Sequence, residues 1–383
     1  MDSSATHQAQ SQGREAGPLL SIQVLRAVAA LAVVMPHINR EFELKLALPD
    51  ALPLEVFKVG NVGVDLFFVI SGFIMVYVSE PLFGRRDAPR SFLLRRFARI
   101  IPLYWASSGL LLGYVLLRYS DLAAANMSAS AVLASFAFVP YPKPDGSVVP
   151  INAIGWTLNY EMFFYAAFAV ALLASRGVAV LAVTVAFSLL VTLGLWWRLP
   201  GPLAFWADPI VLEFVVGMWI ALAFRRGMRL PAWVTYGLLL AGVAIILGGV
   251  FWGYELLPRV LGRGVPAGVI IAAVVMANAQ ATSALGWRVL GFLGDASYAL
   301  YLTHPASLTL PRILFPGLID PAAHPWAYAA ELVGVAVAVA ILVHLAFERP
   351  TTRALQQGIA ALTSLRRARP IDARQTAMES KIG

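Results

Sequence analysis

The sequence predicts an all-α, polytopic membrane protein of about ten transmembrane helices, with both termini in the cytoplasm. Three observations carry that prediction. The 383-residue chain is 59% hydrophobic and only 13% charged, with a mean hydropathy of +0.74, whereas soluble domains carry about 25% charged residues. Its apolar residues gather in windows of about 20, the length that crosses a hydrocarbon core as a helix. Lys and Arg fall unevenly on the segments between those windows, and that bias sets the orientation.

In chain order, residues 1–18 are polar, rich in Gln and Ser, and lack the apolar core of a cleavable signal. They read as a disordered cytoplasmic tail. Residues 19–350 form the transmembrane body, with spans expected at 20–38, 60–79, 99–117, 154–173, 178–197, 205–224, 233–252, 262–280, 289–310 and 326–347. The sixth carries Asp208 and Glu213 near its start. Ser128 to Val139 is apolar but too short to cross, and fits an interfacial or re-entrant piece. Pro140 to Gly146 is a rigid, turn-rich stretch. Residues 351–383 are a basic cytoplasmic tail. With the N-terminus inside, nineteen Lys and Arg lie on cytoplasmic segments and nine on outer ones. The net charge of +8 is then mostly a collar facing lipid headgroups, which argues against nucleic acid as a partner.

Cysteine is absent, which excludes disulfides, thiolate metal sites and an acyl-cysteine intermediate. No metal site and no permanently bound cofactor is expected. Chemistry falls to the ionisable groups inside the spans, where charge is expensive and therefore functional by default. Arg26 and His37 share the first span, eleven residues apart. At about 100° per residue, eleven steps come within about 20° of three full turns, so both project from one face about 16 Å apart along the axis. Pro36 frees backbone groups just before His37.

Given that topology, His37, Asp65, Glu161 and His304 fall in the outer third of the bilayer on four helices. Arg26 lies nearer the inner face, beside Arg95, Arg96 and Arg99, a run that is a positive-inside anchor first and a ligand site second. Asp65 also reads as a structural partner of Arg26 or a helix N-cap. Val69-Ile-Ser-Gly-Phe73 looks like a serine site but lacks the strand–turn–helix setting, so it reads as close packing by small residues. His344, Glu331, Asp208 and Glu213 read as structural. Together these residues suggest a narrow passage that grips an anionic ligand at one level and does proton chemistry at another.

Six segments, in order, carry a family resemblance. They are Leu25-Arg26-Ala27 with His37; Gly63-Val-Asp-Leu-Phe-Phe-Val-Ile-Ser-Gly-Phe73; Phe92-Leu-Leu-Arg-Arg-Phe-Ala-Arg-Ile-Ile-Pro-Leu-Tyr-Trp105; Trp156-Thr-Leu-Asn-Tyr-Glu161 with Phe164-Tyr165; Leu293-Gly-Asp-Ala-Ser-Tyr-Ala-Leu-Tyr-Leu-Thr-His304; and Glu348-Arg-Pro350. The chain resembles the acyltransferase-3 family of integral membrane O-acyltransferases across essentially its whole span region, and within it the stand-alone exopolysaccharide O-acetyltransferases. The resemblance implies transfer of an acyl group, usually acetyl, from cytoplasmic acyl-CoA to a hydroxyl of an extracytoplasmic glycan or lipid-linked precursor at the bacterial inner membrane. It also implies an essential Arg26/His37 pair.

On that footing His37 is the expected general base, oriented by Glu161 or Asp65. Arg26, Arg95, Arg96 and Arg99 are expected to hold the donor, and Trp156, Tyr160, Tyr301 and His304 to contact substrate. Direct transfer and an acyl-histidine intermediate both fit. The expected partners are acyl-CoA, a glycan or lipid-linked saccharide and membrane lipids, with a homo-oligomer or polysaccharide-synthesis machinery left open. A secondary transporter using intramembrane ionisable residues is the rival reading, although no inverted repeat supports it. A His/Asn acyltransferase using Asn159 or Asn152 is a second.

Overall fold

The computed structural model describes residues 3–53, 57–119, 122, 127–143, 146–253, 257–277 and 285–362. Their regular structure is helical, with one isolated bridge between Leu230 and Ala277 and no strand among the described residues. The first helix, α1, runs Ser3–Arg40, so the stretch expected to be a tail continues the first span backward. Ala and Gln, which recur there, are good helix formers. At the other end α14 (Pro325–Val343) passes through a π-turn at His344–Glu348 and stays helical to 362. The rest of the expected basic tail, 363–383, lies outside the described residues.

Among the described residues six helical stretches are long and apolar enough to cross a membrane: Leu20–Lys45, Val59–Val78, Ala88–Arg118, Arg176–Trp196, Ala232–Gly249 and Pro325–Leu362. They contain α1 from Leu20 onward, α2 (Val62–Val78), α3 (Ala88–Arg118), α6 (Arg176–Trp196), the greater part of α9 (Ala232–Trp252) and α14. The other four expected spans are built from shorter pieces. The fourth is a 3-10 turn leading into α5 (Trp156–Ala171). The sixth splits into α7 (Pro202–Trp206) and α8 (Val211–Arg225), because Asp208 accepts the Ile210 N–H at 2.8 Å between them. The eighth is a π-turn followed by α10 (Val265–Met276). The ninth breaks at Ala296 into α11 (Leu285–Asp295) and α12 (Ser297–Ser307), followed by a short α13 (Leu310–Leu314). A hydropathy window averages across such breaks, and one carboxylate or proline is enough to end a helix inside it.

The short apolar piece is α4 (Ala129–Phe136), capped by Ser128 and far too short to cross. It is tied to α3: Tyr104 and Trp105 donate to the Ser135 and Phe136 carbonyls at 3.1 and 3.0 Å.

Glycine sets how closely the central helices approach. A Cβ on Gly72 of α2 would fall 2.0 Å from the Phe214 carbonyl oxygen of α8, and one on Gly217 of α8 would fall 2.0 Å from that of Val69. The two backbones therefore touch, which is the small-residue packing expected of the Ser71-Gly72 segment. Pro36 has no N–H for the Ala32 carbonyl, and Gly60 closes on that oxygen, its Cβ position lying 2.1 Å away. Gly72→Ala is expected to cost about 2 kcal/mol through overpacking and to lower the melting temperature in detergent. Gly237→Ala, with nothing within 4 Å of the new methyl, should melt as the wild type does; equal melting of both variants would contradict this contact.

Candidate functional site

A buried cavity lies at the level of Arg26, with roughly 790 Å³ of non-protein space including its opening to solvent. Arg26 from α1, Arg96 and Arg99 from α3, and Ser71, Glu161 and Tyr165 from α2 and α5 line it. The sequence places them by simple periodicity. Arg96 and Arg99 are three apart, and Glu161 and Tyr165 four apart, so each pair shares one helix face. Ser71 donates to Glu161 Oε1 at 3.2 Å, and the Tyr165 hydroxyl donates to the same oxygen. Arg26 is 7% exposed, and its Nη1 donates to Gln23 Oε1 at 3.0 Å. Among the described residues none of the three guanidiniums comes within salt-bridge distance of a carboxylate. Three cations facing one hydroxyl-bound carboxylate leave the cavity positive, and a guanidinium fork suits phosphate oxygens.

Further along α1, His37 meets His304 of α12, their ring centroids 4.6 Å apart and their planes at 77°. Both imidazoles are fixed by their own helices. His37 Nδ1 lies 2.9 Å from the Val33 carbonyl oxygen, and His304 Nδ1 lies 3.1 and 2.9 Å from those of Leu300 and Tyr301. A carbonyl only accepts, so in each neutral ring the proton sits on Nδ1 and Nε2 carries the lone pair. Proline makes the second anchor available: Pro305 has no N–H to give the Tyr301 carbonyl, which takes His304 Nδ1 instead. His304 Nε2 is buried without a hydrogen-bond partner.

Between these two levels stands Tyr301. It lines the cavity and lies 6.2 Å, ring to ring, from His304. Its hydroxyl is tied to Thr157 Oγ1 at 2.7 Å and donates to the Ile154 carbonyl at 2.9 Å. His37 and His304 are not among the cavity's lining residues. Among the described residues the cavity lining thus ends at Tyr301 and does not reach the imidazoles, so the expected continuous passage from Arg26 to His37 is not open. Spacing along α1 gives the distance between its two residues but not which side chain of another helix enters the gap.

Several expected site residues go elsewhere. Asp65 neither orients His37, nor pairs with Arg26, nor caps a helix. It is 0% exposed and ion-paired to Arg259 Nη2 at 2.9 Å, while Arg259 Nε lies 3.5 Å from the equally buried Glu213. Glu161 faces the arginine cavity rather than the imidazoles, because its two hydroxyl donors lie at that level. Arg95 is exposed and does not line the cavity, being one residue, about 100°, away from Arg96 on the helix. Trp156 and Tyr160 pack in an aromatic group with Phe205, Tyr160 stacking on it at 4.3 Å, and neither lines the cavity. His344 pairs with Glu348 at 2.8 Å, a structural contact as expected. Sequence reasoning gives no site role to Gln23 or Tyr165, although each stands one helical turn from a residue it singles out. Arg259 was counted only as an outer-loop charge.

A multi-pass helical membrane protein that holds a positive cavity and a pair of lone-pair-bearing imidazoles on either side of one tyrosine is equipped to bind an anionic donor and move a proton. Residues 19–345 match the family described as an acyltransferase domain. The chain belongs to the acyltransferase-3 family. It is 34% identical over 305 residues to the exopolysaccharide production protein ExoZ of Rhizobium meliloti (strain 1021), covering 78% of this chain and 91% of that one. It is 28% identical over 369 residues to the acyltransferase MdmB of Streptomyces mycarofaciens, covering 88% and 92%. It is 25% identical over 313 residues to the putative peptidoglycan O-acetyltransferase YrhL of Bacillus subtilis (strain 168), covering 73% and 47%. No solved structure matches.

The Arg259 group has a testable consequence. Arg259→Met leaves two buried carboxylates without their cation, a change that costs about 3–5 kcal/mol, and should sharply reduce folded protein in membranes. Arg259→Met combined with Asp65→Asn and Glu213→Gln should recover much of that yield by size-exclusion chromatography. No recovery would remove the charge-pairing explanation.

Proposed function

We propose that this protein transfers an acetyl group from acetyl-CoA, or a closely related acyl-CoA, to a hydroxyl of an extracytoplasmic glycan at the bacterial inner membrane. The observation that carries the reading is the pairing of a three-guanidinium cavity with two imidazoles, of which His37 lies further along the helix that carries Arg26. The names of ExoZ and YrhL, an exopolysaccharide production protein and a peptidoglycan O-acetyltransferase, support a glycan as acceptor. Family membership places the chain with acyltransferases rather than with transporters.

In this reading the donor's phosphates rest against Arg26, Arg96 and Arg99. The extended pantetheine arm runs along α1, whose Arg26-to-His37 rise is about 16 Å. For the thioester to reach the imidazoles, Tyr301 swings off Thr157 and Ile154. The acceptor hydroxyl gives its proton to His37 Nε2 while its oxygen attacks the thioester carbonyl carbon. The tetrahedral intermediate collapses with cleavage of the carbon–sulfur bond, and the departing thiolate takes the proton back from the imidazolium. The Val33 carbonyl holds the ring with Nε2 free. His304 packs against it and brings a second lone pair to the same point. Basic residues concentrated on the inner segments support a cytosolic entry for the donor.

The test uses purified protein in proteoliposomes with labelled acetyl-CoA and a glycan acceptor. Wild type should move label to the acceptor, and His37→Ala should not, at unchanged membrane level. Arg26→Ala, which removes a charge-assisted contact of about 1.5–3 kcal/mol, should raise KM for the donor roughly 10- to 100-fold. Wild-type rates in His37→Ala would end the proposal, as would an intact thioester in the wild-type reaction.

A further inference from the structure

Arg26, 7% exposed, carries its guanidinium on a flexible stem of three methylenes. Two residues outside the cavity hold it. Gln23, one turn earlier, accepts from Arg26 Nη1 through Oε1 at 3.0 Å. Its Nε2 donates to Asp295 Oδ1 at 2.6 Å, at the end of α11. The order is forced, since a guanidinium only donates and a carboxylate only accepts, so the amide between them has one orientation. Helix packing makes the bridge possible. A Cβ on Gly294 would fall 1.9 Å from the Gln23 carbonyl oxygen, and one on Gly291 would fall 2.7 Å from Leu20 Cδ1. Glycine at these two positions lets α11 lie directly on the first turn that carries Gln23.

The charges along this bridge differ in surroundings. Asp295 is exposed, Gln23 is half-buried and Arg26 is buried. A carboxylate touching Arg26 would neutralise the cation and compete with an incoming phosphate. A neutral amide fixes one edge of the guanidinium while leaving its charge and remaining N–H groups for a ligand. The anion that orients the amide lies outside the cavity, on the exposed end of α11.

We propose that Gln23 and Asp295 are positioning residues that preset Arg26 for the phosphate of the donor. This rests on the reading of Arg26 as a donor ligand. Neither residue touches the reacting atoms. Their effect is to spare the ordering of a long side chain at the moment of binding.

The experiment measures donor kinetics and side-chain mobility on the full-length protein. Gln23→Leu should raise KM for acetyl-CoA about tenfold, the scale of one hydrogen bond to a charged group, with kcat within about twofold. Asp295→Leu, which frees the amide to turn, should act in the same direction, and Asp295→Asn, which keeps an oxygen acceptor, should raise KM less. Because the two residues act as a unit, the Gln23→Leu/Asp295→Leu double variant should be no worse than the more severe single one. An unchanged KM in Gln23→Leu, or fully additive effects, overturns the proposal. A wild type that leaves acetyl-CoA untouched overturns the donor reading instead. The anchoring is then read without donor, from phenylglyoxal modification of Arg26 followed by peptide mass spectrometry. Modification should be faster in Gln23→Leu than in wild type; equal rates overturn the anchoring.

Discussion

Arg26 sits at 7% exposure among apolar helices, and a cation in that setting must be given partners by the fold or by a ligand. Much of the local architecture answers to it. Gly291 and Gly294 bring α11 against the turn that carries Gln23. Gly60 and Gly63 bring α2 against α1, with Gly63's Cβ position 2.4 Å from the Ala29 carbonyl oxygen. Gly72 and Gly217 lock α8 onto the far side of α2, so Ser71 is presented to Glu161 from a helix that cannot drift. Apart from Gly291, which meets a Leu20 methyl, each of these glycines closes on a backbone carbonyl oxygen, where a single methyl has no room. In lipid there is little hydrophobic gain from joining helices, and close packing of this kind is what remains to hold them.

Two groups of buried charges in this protein are composed differently, and composition separates scaffold from site. At Arg259 one guanidinium faces two carboxylates, both 0% exposed, and the group is closed on itself. Around Arg26 three guanidiniums face one carboxylate, and that carboxylate is already taken by Ser71 and Tyr165. The first arrangement resists separation of two helices and a turn. The second keeps a positive field in a cavity open at one side, which suits a polyanion arriving from solution. Counting ionisable residues by depth cannot distinguish them, since Asp65 and Glu161 are both carboxylates a short way into their spans.

That contrast also marks how far the sequence could be read. The shared face of Arg26 and His37 follows from helical period alone, and the adjacency of Arg96 and Arg99 follows from theirs. Pro36 and Pro305 flag the places where backbone carbonyls become available. The meeting of His37 with His304 was implied by depth, since both were placed toward one side of the bilayer. Pairings between helices distant in sequence were not legible, because nothing local fixes the rotation of α10 or its preceding turn about α2. Asp65 therefore found Arg259 rather than Arg26, and Tyr301 entered a gap that spacing along α1 had left open. The broken spans were hidden for another reason: Asp208 and Ala296 interrupt helices inside stretches whose average hydropathy stays high.

The separation of guanidiniums from imidazoles is itself chemically useful. A thioester beside an unoccupied general base and water would hydrolyse as readily as it would acylate a sugar. Tyr301 closes the gap with two hydrogen bonds, to Thr157 and to the Ile154 carbonyl. Ile154 belongs to the 3-10 turn that follows the segment pinned through Ser135 to Tyr104, with Ser135 Oγ accepting the Ile151 N–H at 3.1 Å. Tyr301 thus shares α12 with His304, while the carbonyl its hydroxyl bonds sits in a turn that α4 ties to α3. A ligand entering the arginine cavity meets the phenol before it meets a base. Opening costs two hydrogen bonds, a net of about 1–3 kcal/mol, which binding of several phosphate oxygens readily offsets. For the donor proposed above, such an arrangement would tie exposure of the reactive carbonyl to prior capture of the anionic end, so that the base would meet a thioester only when the rest of the donor is already held.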